Sequence, residues 1–122
     1  MRALGILQWV GLLAGAALWA AAHVVGYGIT EARCGPAGAG WGIDLDLWEG
    51  LATGIAAVLV AGGGAAALAV VLGTAESSYE SPPPVGRMRF FAIAALVANA
   101  LFLVMIVLYA VGTIASVPCR QS

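Results

Sequence analysis

Few residues in this chain carry side chains suited to catalysis or ligand binding, and most of those lie in apolar surroundings. His23 is the only histidine, inside the run Trp19-Ala-Ala-Ala-His23-Val-Val-Gly-Tyr27. An ionisable side chain within lipid is costly to charge and by default marks a functional position. A lone imidazole there could be an axial ligand to a haem, a hydrogen-bond partner to a quinone, or one member of a proton relay. It could equally bond Tyr27, one turn away, or a neighbouring helix. One histidine cannot supply both axial ligands of a six-coordinate haem, and neither a second intramembrane histidine nor a paired carboxylate accompanies it. The reading favoured is structural, with Trp19, His23 and Tyr27 kept as candidates for a cofactor or lipid contact. No catalytic residue is identified, and no cofactor of the chain's own is expected.

Cys34 and Cys119 are the two cysteines, without CxxC, haem-attachment or zinc spacing, so no metal site is expected. A disulfide is the remaining role. In the chain-entropy model, closing a loop of about 85 residues stabilises by on the order of 4 kcal/mol. Asp44, Asp46 and Glu49 form an acidic cluster in which Asp46 and Glu49 have capping-box spacing before an apolar run. The same cluster could instead be a docking patch for a basic soluble partner such as a c-type cytochrome. Its spacing is not that of a calcium loop.

The elements that position these residues follow from composition. The chain has 122 residues, of which 62% are hydrophobic and 9% charged, and its mean hydropathy is +1.01. Soluble domains carry about a quarter charged residues, so this is a membrane protein. Five arginines, no lysine and a net charge of −1 leave no basic patch for nucleic acid. Three apolar stretches exceed the roughly 20 residues a helix needs to cross a bilayer. The expected architecture is all-α, one three-helix transmembrane domain over 1–122. Its helices are placed near 4–30, 46–73 and 89–116, with an outer loop at 31–45 and an inner loop at 74–88. Arg2 before an apolar run and Ala20-Ala21-Ala22 also fit a signal peptide, but the run continues past that point through Ile29, so a retained helix is expected. The arginine distribution predicts the N-terminus in the cytoplasm and the C-terminus outside a bacterial inner membrane.

Within the loops, Trp41, Leu45 and Trp48 have the spacing of a short amphipathic segment lying at the headgroup layer. Pro82-Pro83-Pro84 favour a stiff polyproline II connection. Within the helices, Gly11, Gly15, Trp19, His23 and Tyr27 recur every four residues as an interface stripe. Gly50 and Gly54 repeat the GxxxG spacing, which lets helix backbones approach closely in lipid. Gly62, Gly63 and Gly64 near the middle of the second span predict close packing, the rival being an unwound turn of the kind that lines transport sites. Asn99 is the one strongly polar group deep in the third span and is expected to tie it to another helix.

The segments G-L-L-A-G-A-A-L-W-A-A-A-H-V-V-G-Y-G-I-T-E-A-R-C and R-F-F-A-I-A-A-L-V-A-N-A-L-F-L-V-M-I-V-L-Y-A, with P-C at 118–119, resemble small three-span membrane proteins that accompany bacterial haem-copper terminal oxidases. The likeness covers the first and third spans, nearly half the chain. It implies an accessory subunit of a respiratory electron-transfer complex, without a redox centre of its own, and carries over no catalytic residue. The expected role is therefore a non-catalytic structural subunit that contacts larger membrane subunits and lipids. The alternatives are a haem- or quinone-contacting subunit using His23 and a small homo-oligomeric transporter or channel.

Overall fold

The computed structural model describes residues 2–35, 42–78, 80–116 and 119, and Trp41 of the expected amphipathic segment lies outside them. Three helices follow in order: α1 (Arg2–Cys34), α2 (Leu45–Gly73) and α3 (Val85–Ala115). Each is long and apolar enough to span a membrane, which makes this a multi-pass membrane protein. At 1.5 Å per residue the shortest, with 29 residues, runs about 43 Å, beyond the roughly 30 Å of hydrocarbon.

Every helix packs on the other two. The centre is built from small and β-branched side chains: Val60, Ala67, Val70, Ala92 and Ala95 are wholly buried, with Ile106 the largest. Large apolar side chains point outward instead, Val24 being 72% and Val58 71% exposed. This distribution suits lipid, where burying a leucine in protein gains nothing over leaving it among acyl chains and close backbone contact is the attractive term.

The helix ends correct several expectations. α1 runs a turn past residue 30, because Thr30 to Cys34 contain no breaker and the first comes at Gly35, whose amide still donates to the Glu31 carbonyl at 2.8 Å. Asp44, not Asp46, caps α2: its carboxylate accepts from the Leu47 amide at 3.2 Å. Leu45 and Trp48 consequently belong to the first turns of α2, not to a separate segment. Residues 62–64 are helical within α2, so the unwound turn is absent. Pro84 has α-type dihedrals (φ −89°, ψ −9°), and its carbonyl accepts from the Met88 amide at 3.0 Å. The last proline thus starts α3 at Val85, four residues earlier than expected, instead of completing a polyproline II rod.

Candidate functional site

The polar side chains fall into three levels along the bundle. At the middle, Asn99 is 3% exposed where all three helices cross. Its Nδ2 donates to the Gly11 carbonyl of α1 at 2.5 Å and to the Ala95 carbonyl of its own helix at 2.8 Å. Both partners can only accept, which fixes the amide orientation. Oδ1 is buried without a hydrogen-bond donor among the described residues. It rests on the bare faces of Gly15 and Gly63, where added Cβ atoms would lie 2.9 and 3.1 Å away. Gly63 also faces α1 so closely that a Cβ would come 2.5 Å from that of Ala14. A Cβ at Gly11 would come 3.0 Å from that of Ala67, whereas one at Gly64 would stand at an ordinary 3.8 Å from the Asn99 Cβ. Gly11, Gly15, Gly63 and Asn99 therefore form one knot.

Toward the disulfide end lies His23. Its Nδ1 donates to the Trp19 carbonyl at 2.9 Å, since a carbonyl can only accept, and this leaves Nε2 for another partner. The ring lies between Trp19 and Tyr109, with 4.6 Å between centroids on each side, and Trp19 leans on Phe102 at 5.9 Å. The expected partner Tyr27 is instead 67% exposed. Steps of four residues advance 400° around a helix of 3.6 residues per turn, so the stripe slips about 40° per step and has left the interface by Tyr27. Gly26 takes the inward position, and the Tyr109 hydroxyl occupies the space where its Cβ would stand.

One turn further out, Glu49 is 6% exposed. The Thr30 hydroxyl of α1 donates to its Oε1 at 2.8 Å and toward the Gly26 carbonyl at 3.0 Å. Glu49 thus joins α1 to α2 inside the bundle, which removes it from both the capping box and the acidic docking patch. Asp44 and Asp46 remain on the surface. Cys34 and Cys119 are disulfide-bonded with Cα atoms 5.2 Å apart, joining the ends of α1 and α3 as expected.

At the opposite end Arg89 reaches from α3 to the last turn of α2. Its Nη1 donates to the carbonyls of Thr74 at 2.7 Å and Val71 at 3.2 Å. A guanidinium satisfies orphan C-terminal carbonyls and the negative pole of the helix together. Sequence reasoning missed Thr30, Tyr109 and Arg89. The signal for Arg89 was a cation at the edge of a span, which needs carbonyl partners.

The remaining glycines behave differently. Gly50, Gly54 and Gly62 lie on the outer surface of α2, and Cβ atoms at each would meet nothing within 4 Å. Gly50 and Gly54 line a shallow trough between α2 and α3, whose walls include the branched Ile106, Val107, Val111 and Ile114 as well as smaller side chains. Among the described residues no three histidine, cysteine or acidic side chains are grouped as metal ligands. Compared with known family models, curated proteins and solved structures, the chain matches none.

Proposed function

We propose that this chain is a non-catalytic packing subunit of a larger bacterial membrane assembly, of the respiratory electron-transfer kind in which terminal oxidases keep the small proteins its first and third spans resemble. The carrying observation is the open glycine pair Gly50 and Gly54. Glycine weakens a helix by up to about 1 kcal/mol against alanine, and none of the described residues uses the space left by these two. What the pair permits is backbone contact with a foreign helix lying in the α2/α3 trough. The orientation that goes with this reading has the N-terminus in the cytoplasm, following the arginines, and the disulfide on the oxidising side.

Purification from the source membrane in mild detergent, followed by mass-spectrometric identification of the accompanying chains, tests this reading. Larger respiratory subunits are expected, and Gly54→Leu is expected to release them while the chain keeps its helicity. Recovery as a lone monomer would refute it, and a defined ring of identical chains would support the transporter alternative. A second reading places a haem or quinone against His23, favoured by the Nε2 atom, which makes no hydrogen bond among the described residues. A Soret or quinone signal that disappears in His23→Ala would establish it.

A further inference from the structure

Two troughs flank α2. The one toward α3 has the glycine floor described above. The other, between α1 and α2, starts at mid-bundle, where Leu18, Val25, Ile55 and Leu59 wall its deep section with alanines between them and no glycine. At Val25 it adjoins a second section, lined by Gly28, Ile29 and Trp48 as far as Ile43. At Ile43 it passes into a third, a mouth that includes Arg33, Asp44 and Asp46. Neighbouring sections adjoin at Val25 and at Ile43. From Leu18 to Arg33, α1 rises about 22 Å, enough to carry the trough through one leaflet of about 15 Å of hydrocarbon and into the headgroup layer. Trp48, half exposed at the transition, sits at the level where indoles favour the interface.

The walls and the mouth together select the occupant. Leucine, isoleucine and valine side chains with alanines between them make an uneven apolar surface that a flexible acyl chain can follow. At the mouth, Arg33, Asp44 and Asp46 line the same opening. Guanidinium pairs with phosphate in a forked geometry, while carboxylates repel an anionic headgroup and accept hydrogen bonds from an ammonium. A headgroup with a phosphate and a primary amine meets both demands. We infer that the α1/α2 trough is a binding site for a phosphatidylethanolamine-type lipid, with an acyl chain along Leu18 to Ile29, its phosphate at Arg33 and its ammonium at Asp44 and Asp46. The inference rests on the membrane placement of the helices and is independent of which protein covers the α2/α3 trough.

The test uses the full-length, disulfide-bonded chain, delipidated in detergent and offered phosphatidylethanolamine, phosphatidylcholine or phosphatidylglycerol, with retention read by native mass spectrometry. One phosphatidylethanolamine per chain is expected, held about tenfold better than the other two, a ratio of about 1.4 kcal/mol. Arg33→Gln should lower that retention by a similar factor. Asp46→Asn should keep a bound lipid but bring phosphatidylglycerol level with phosphatidylethanolamine. Ala21→Phe, at an exposed position beside the deep section, should abolish retention with helicity unchanged. Equal retention of all three lipids would overturn the inference, as would indifference to both charge substitutions. So would a photo-crosslinker at position 21 that captures a protein helix from intact membranes instead of lipid.

Discussion

Gly63 and Gly54 lie nine residues apart on the same helix, yet the same substitution should act on them in opposite directions. At Gly63 an added methyl would stand 2.5 Å from the Ala14 Cβ, whereas carbon atoms rest at about 3.5–4.0 Å. α1 and α2 would have to separate by roughly 1 Å at their tightest point, and Asn99 Oδ1, 3.1 Å from the same methyl position, would have to yield as well. Overpacking of this kind costs about 1–3 kcal/mol, against which the helix-propensity gain is at most about 1 kcal/mol. We expect Gly63→Ala to destabilise the chain by about 1–2 kcal/mol, roughly a tenfold change in the unfolding equilibrium. Gly54→Ala meets no atom within 4 Å and should change stability by less than about 0.5 kcal/mol or raise it slightly. Reversible unfolding of the purified chain in mixed micelles, followed by far-ultraviolet circular dichroism, measures both. The double variant Ala14→Gly/Gly63→Ala removes the opposing methyl and should recover most of the loss, giving a coupling energy of about 1 kcal/mol. If Gly63→Ala were as stable as the parent, or Ala14→Gly gave no rescue, the account of the central crossing would be wrong.

Asn99→Leu removes the bond to the Gly11 carbonyl and places a branched group against Gly15 and Gly63. Helix association should weaken by about 1–3 kcal/mol, visible as a lower unfolding midpoint in the same titration. Arg89→Gln should loosen the α2 terminus by about 1–3 kcal/mol, since bonds from a charged donor are lost. The readout is faster amide hydrogen exchange at residues 74 and 75, with exchange near Asn99 unchanged. Reducing the Cys34–Cys119 bridge should destabilise by up to about 4 kcal/mol in the chain-entropy model for an 85-residue separation, and Cys34→Ser should match the reduced parent.

What the sequence revealed follows from how strongly lipid constrains a chain. Hydropathy and length alone placed three helices, because the bilayer permits little else, and α2 was located to within a residue at its start. Asn99 was legible for the same reason, since an amide in hydrocarbon must find partners on another helix. The mistakes arose where period and depth had to be judged together. Tyr27 was assigned to the His23 face by a four-residue repeat that the 3.6-residue helix does not keep. Glu49 was grouped with Asp44 and Asp46 by proximity in sequence, although five residues of helix turn it inward against Thr30 while Asp44 caps and Asp46 faces out. Gly50 and Gly54 share the spacing of Gly11 and Gly15 but not their burial, because spacing defines a smooth face without saying which way it points.

The link between Cys34 and Cys119 carries an implication for biogenesis. Its second half lies beyond the last helix, so the covalent bond cannot close until all three crossings have been made in the correct alternation. An oxidised molecule is therefore one whose third helix has been made and brought beside the first, and a non-reducing gel of newly made chains would count such molecules against unfinished ones.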